Sequence, residues 1–168
     1  MTSAAQAKMY GVLDCSRHES LYEHAARLSP EGAECLFAGK LAEPVLRASP
    51  FLVELSPADP LSQLWRTTGW GQAWGILISS RASLPVLRRR LRRFTQVKLP
   101  DGQGPVLFRF WDPRVFRDFL PLVEPQEIEP WFADADRYIV ETPDGQGSIR
   151  FCLRDGRLTT DNGPRPGR

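Results

Sequence analysis

Hydrophobic and polar positions fall into blocks along this chain, and each block predicts an element. Met9 to Cys15 (MYGVLDC) reads as a strand, and Ser20 to Ser29 as a short helix stopped by Pro30. Cys35 to Ala38 and Phe51 to Leu55 are strand-length runs, the second bounded by Pro50 and Pro57. Asp59 suits a helix N-cap and Pro60 a first helical position, which starts a helix running through Thr67. A loop dense in Gly and Trp follows. Gly75 to Ile78 is then an unbroken apolar run, the pattern of a strand covered on both faces. Between Ser83 and Thr95, Leu84, Leu87, Leu91 and Phe94 recur at spacings of three and four, which gives a helix one apolar stripe.

Downstream, Gln96 to Leu99 and Val106 to Trp111 read as strands around the turn Pro100-Asp101-Gly102-Gln103-Gly104. A helix starts at Asp112 and ends before Pro121. After a segment around Trp131 and Phe132, Tyr138 to Thr142 and Ser148 to Leu153 form a last hairpin. Its turn, Pro143 to Gly147, repeats the PDGQG of the earlier one, and shared turn chemistry accounts for that. The ending DNGPRPGR has nothing apolar to bury. The expected fold is one compact α/β (α+β) domain over residues 9–158. It has a mixed β-sheet, about four flanking helices and a C-terminal β-hairpin. Residues 1–8 and 159–168 are expected to be flexible termini.

Composition narrows the function only slightly. The 168 residues suffice for a core without staples, and 42% hydrophobic with 25% charged residues is ordinary for a globular domain. The balance of 22 basic against 20 acidic residues, a net +2, does not point to nucleic acid. No apolar run approaches the roughly 18 residues of a membrane span, and Tyr10 to Leu13 is too short for a signal core. The three cysteines, Cys15, Cys35 and Cys152, are odd in number and widely spaced, so reduced thiols in a cytoplasmic protein are expected.

Catalytic signals are sparse. Cys15, His18 and His24 supply three potential metal ligands, but their spacing fits no familiar zinc pattern and a fourth is missing, so no metal is expected. His18 or Asp112 would have to serve any small enzyme hidden here, and there is no GxSxG elbow. The loop Gly69 to Gly75 superficially resembles a phosphate cradle. It precedes a strand instead of following one, and Trp70 and Trp74 crowd it, so those indoles are either core or a partner-binding surface. Arg88, Arg89, Arg90, Arg92 and Arg93 surround the polar side of the 83–95 helix. They could neutralise phosphates, but with no interleaved aromatics a nucleic-acid module is the alternative reading and a protein surface the favoured one.

The densest segment is Leu107 to Phe116. It reads as a strand running into a helix with Asp112 as N-cap and Pro113 at the first position. Arg109 sits among apolar residues and, if buried, needs a carboxylate. Arg114 lies in the first turn, where the helix dipole disfavours a cation, so it too calls for a specific partner.

This "RF-aromatic-DPRV" junction at Arg109 to Val115 resembles the hallmark of the type VI secretion effector-chaperone (adaptor) family, long catalogued as a domain of unknown function. Other pieces follow in order. Tyr10-Gly11-Val12-Leu13-Asp14 resembles the opening strand, Leu36-Phe37-Ala38-Gly39 an "LF-small-G" strand, and Ser49 to Val53 a "GPYLV" strand. Gly69-Trp70, Gly75 to Ser80 and Leu84 to Leu91 match the region through the basic helix. Ser49, Phe51 and Trp111 depart from the usual Gly, Tyr and Tyr. The resemblance covers residues 9–142 and implies a non-catalytic adaptor without cofactors. Such a protein binds a secreted effector and helps load it onto the VgrG spike or its PAAR tip. On this reading Asp14, Arg109, Asp112, Pro113 and Arg114 form a structural motif. Trp70, Trp74, Arg88, Arg89, Arg92 and Arg93 are the candidate partner-binding residues.

Overall fold

A computed structural model describes residues 6–98, 100, 102 and 104–166. Strand β1 (Lys8–Asp14) lies at the centre, paired antiparallel with β3 (Pro50–Leu55) on one side and β4 (Gly75–Ser80) on the other. Val12 faces Leu52 across one pairing and Ile76 across the other. The sheet has seven strands in the order β2-β3-β1-β4-β7-β8-β9, where β2 is Ala33–Cys35, β7 Arg137–Glu141, β8 Gly147–Arg154 and β9 Arg157–Pro164. The single α/β domain expected from the sequence is what forms.

Every pairing in the sheet is antiparallel, which corrects the expectation of a mixed sheet. The β-α-β pattern that suggested parallel strands is genuine but displaced. Helix α3 (Pro60–Leu64) carries the chain from β3 to β4, two strands parallel to each other with the antiparallel β1 between them. Local pattern reports the crossover; it does not report which strand fills the gap.

Alternation in β1 assigns the two faces. Tyr10 and Val12 point to a layer built from α4 (Leu84–Leu91), α5 (Pro113–Phe119) and α6 (Pro125–Phe132). Leu13 points the other way, to α1 (Glu19–Leu28) and α3. Covered on both sides, β4 is buried along its whole length, as its apolar run predicted. The predicted stripe of α4 also holds: Leu84, Leu87 and Leu91 are buried. Phe94, in a following 3-10 turn, stacks on Trp131 with centroids 3.8 Å apart and planes 10° from parallel. Each large side chain so buried contributes about 1.5–3 kcal/mol.

Six α-helices occur among the described residues, where about four were expected. The unforeseen α2 (Glu43–Arg47) buries no residue and therefore leaves no apolar periodicity, while Pro125 and Pro130 disguise α6. The predicted strand at 106–111 is also corrected. Only Pro105–Leu107 (β6) is extended, paired with β5 (Gln96–Lys98) in a separate two-stranded ribbon. Phe110 and Trp111 are adjacent in sequence and both buried in the same core cluster, which strand alternation cannot achieve on one face. Likewise the extended segment expected at Cys35 to Ala38 pairs only at Ala33–Cys35.

The C-terminal hairpin forms as expected and is longer than expected. Asp144 Oδ1 accepts from the Gln146 amide at 3.0 Å, and Gly145 takes φ +67° in its turn. The earlier PDGQG turn lies partly outside the described residues. The flexible tail expected from residue 159 onward is corrected: β9 pairs with β8 from Arg157 through Pro164. Leu158 at its start packs on the core, and beyond it the strand is held by the backbone ladder to β8, so the polar residues from 159 gave no sign of it.

Candidate functional site

Two carboxylates meet on the face of the sheet covered by α4, α5 and α6. Asp14 ends β1 on the face of Tyr10 and Val12, and Asp112 opens α5; both are almost wholly buried, at 1% and 4% exposure. Asp112 caps its helix as predicted, its Oδ1 accepting from the Arg114 amide at 3.0 Å. The same carboxylate takes the Arg114 guanidinium, Nε at 3.0 Å and Nη2 at 2.7 Å. Arg114 thus finds its partner in its own N-cap, which offsets its place at the wrong end of the helix dipole. Arg109 donates from Nη2 to Asp14 Oδ2 at 2.5 Å.

Arg17, which sequence reasoning did not single out, ties the two halves together. Its Nη2 donates to Asp112 Oδ2 at 2.7 Å, and its Nε lies 3.4 Å from Asp14 Oδ2 without hydrogen-bond geometry. Ser16 completes Asp14, its hydroxyl donating to Oδ1 at 2.6 Å. The one available signal was position, because Ser16 and Arg17 directly follow a strand ending in an Asp. Burial pushes the Asp112 carboxyl up, but hydrogen bonds and charge from Arg114, with the charge of Arg17, outweigh it and hold the group below its ordinary value. Asp14, Arg17, Arg109, Asp112 and Arg114 thus form one charged cluster. Arg109 lies outside β6, with 43% of its side chain exposed, and Arg114 is 58% exposed. Only their guanidinium ends reach the buried acids.

The tryptophan loop is a second constellation. Trp70 and Trp74 are 5% and 3% exposed, which corrects their candidacy as partner contacts; Trp65, Trp111 and Trp131 are buried as well. Glu141 at the end of β7 fixes this loop, accepting from the amides of Gly71 at 2.6 Å and Ala73 at 3.0 Å. Burial raises the Glu141 carboxyl above its ordinary value, opposed by those two amides and the charge of Arg117. Nothing in the sequence distinguished Glu141 from other acids at strand ends.

The basic helix divides. Arg88 is consumed internally, donating to the carbonyls of Cys35 at 2.6 Å and Phe37 at 3.3 Å and pairing with Glu34 at 3.2 Å. Arg90 pairs with Asp134 at 2.8 Å. Arg89, Arg92 and Arg93 instead line a cleft of about 480 Å³ beside Leu36 and Phe37. Arg88 does not line that cleft; its hydrogen bonds tie α4 to the segment opposite.

His18 caps α1, its ring nitrogen accepting from the Ser20 amide at 3.2 Å, and packs against Trp74. Cys15 is buried, and burial, chiefly, with the nearby Asp14 charge pushes its thiol far above the ordinary range. Among the described residues, no group of three or more His, Cys, Asp and Glu side chains is placed to hold a metal ion. No helix among them is long and apolar enough to cross a membrane.

A family model described as a domain of unknown function (DUF4123) matches residues 9–129. The chain belongs to that family. The matched segment holds the whole Asp14–Asp112 cluster and the arginine helix, and it ends within α6. Strand β7, which completes the core through Tyr138 and Val140, and the β8–β9 hairpin lie beyond it. No curated protein and no solved structure matches the chain.

Proposed function

We propose that this protein is a non-catalytic adaptor of type VI secretion, which binds a toxic effector and helps load it onto the VgrG spike or its PAAR tip. The observation that carries the reading is the Asp14–Asp112 cluster at the RFWDPRV junction. It spends the most suggestive acids of the sequence on holding β1 to α5. His18 is likewise engaged as a helix cap. Family membership over residues 9–129 supports the same reading, because the junction lies within that segment.

Binding then rests on the surface. With the tryptophans in the core, the anchors move to exposed aliphatics: Leu107 of the β5–β6 ribbon, 54% exposed, and Leu122 just after α5, 79% exposed. Apolar groups at the centre of a contact with a polar rim are the usual make-up of a protein interface.

The test is a pull-down of the tagged protein from its native host, paired with a delivery assay in a deletion strain. One effector and a spike component should be retained, and deletion should abolish delivery of that effector while other cargoes still pass. Unaltered delivery of every cargo, with neither component retained, would sink the proposal.

A further inference from the structure

We infer that the cleft between α4 and residues 36–38 receives an acidic stretch of a partner polypeptide, whose carboxylates meet Arg89, Arg92 and Arg93. This deepens the adaptor reading and rests on it for the identity of the partner.

The cleft is a built feature. One wall is the end of α4 and its 3-10 extension; the other is the segment leaving β2 through Leu36 and Phe37. Arg88 joins them, reaching from α4 to the carbonyls of Cys35 and Phe37. The walls therefore do not have to be organised when a partner arrives, which removes part of the entropic cost of binding.

Charge selects the occupant. Every residue lining the cleft is either neutral or an arginine. Arg89 and Arg93 also border an adjoining hollow whose only lining acid, Asp134, is already taken by Arg90. Among the described residues, Arg88 and Arg90 thus have carboxylate partners while Arg89, Arg92 and Arg93 have none. Three like charges along one side of a cleft repel each other, and a carboxylate-bearing segment relieves that repulsion. Guanidinium groups suit this task because their planar fork takes a carboxylate with two hydrogen bonds.

A polypeptide fits better than a nucleic acid. Bases need aromatic faces to stack on, and the aromatics near this cleft are already engaged. The Phe37 ring sits edge-on to Trp111, centroids 5.9 Å apart, and Phe94 lies flat against Trp131. The neutral part of the lining, half-buried Phe37 with exposed Ala38 and Gln96, gives an extended segment a small apolar contact beside the arginines.

The experiment uses the full chain and a fluorescein-labelled peptide of alternating Glu and Leu. A Gln-for-Glu peptide and a short oligothymidylate serve as competitors, all followed by anisotropy. Arg89→Glu/Arg92→Glu/Arg93→Glu should weaken binding of the Glu peptide by about tenfold or more. Added salt should weaken it too, since these charges face solvent. The Arg→Gln triple variant should fall between and stands in if charge reversal disturbs the helix end. Arg154→Glu/Arg157→Glu, on the exposed hairpin at the opposite edge of the sheet, should change nothing. Equal binding by wild type and both triple variants overturns the inference. Stronger binding of the oligothymidylate than of the Glu peptide overturns it in favour of nucleic acid.

The effector retained in the pull-down supplies a second arm. Retention by wild type but not by a folded triple variant supports the cleft. Equal retention by both overturns the cleft and leaves the adaptor reading standing. If wild type retains no effector, the adaptor reading fails, and the peptide arm alone decides the cleft.

Discussion

Replacing Asp112 with alanine removes three interactions at once: the N-cap of α5, the carboxylate bound to Arg114, and the carboxylate bound to Arg17. The cap is worth about 1 kcal/mol. Breaking a fully buried ion pair costs about 3–5 kcal/mol, because the remaining charge is stranded. That figure must be discounted here, since Arg114 is 58% exposed and Arg17 26% exposed, so both can recover water. The sum is a loss of about 2–4 kcal/mol for Asp112→Ala. Asp112→Asn keeps the cap, since Asn is as good an N-cap as Asp, and loses only the charge, about 1–2 kcal/mol. Urea denaturation, monitored by tryptophan fluorescence, measures both. In a chain of this size each kcal/mol moves the melting temperature by about 2–4 °C, so thermal melts provide a second reading. An alanine variant within about 0.5 kcal/mol of wild type would refute the reasoning. So would an asparagine variant as unstable as the alanine one, because the cap would then contribute nothing.

Arg114→Ala should cost only about 0.5–1.5 kcal/mol by the same denaturation assay, because Asp112 keeps Arg17 and Arg114 is already half in water. Gly75→Ala should abolish soluble expression or lower the melting temperature far more, since a Cβ there would lie 1.9 Å from the Val12 carbonyl oxygen. Stability should also decline in acid. The Asp112 carboxyl is held below its ordinary 3.8 in the folded chain, so its contribution is complete above that pH and is lost as pH falls towards the lower folded value. Melts across that range should show a shallower acid loss for Asp112→Asn, and parallel curves would contradict it. Finally, acrylamide should quench the five tryptophans weakly in the native protein and strongly after denaturation. Efficient native quenching would restore the indoles as surface anchors.

Much of this protein is decided locally. The unbroken run Gly75 to Ile78, the stripe Leu84-Leu87-Leu91 and the Asp112-Pro113 cap each state an element within a few residues, and each forms as stated. They do so because periodicity and capping act over one or two turns of chain. Burial of Phe110 and Trp111 together, and the pairing of β9, depended on partners distant in sequence and left no local trace. The same division holds at the candidate site. Residue chemistry asked for partners for Arg109 and Arg114, and the family resemblance grouped them with Asp14 and Asp112, but Arg17 joined them only because the end of β1 is packed against the start of α5. The tryptophans show the limit most clearly, since an indole is equally at home in a core and on a contact surface. Trp65 became core because Gly11 leaves a bare stretch of β1 for its ring, where a Cβ would approach to 2.4 Å. The arginines of α4 look alike in sequence as well. Whether one pairs inside or faces the cleft is set by where Glu34, the Cys35 carbonyl and Asp134 come to lie. Short-range pattern fixes which segments are helix or strand, while the long-range packing of those segments decides which charges and rings are left to meet a partner.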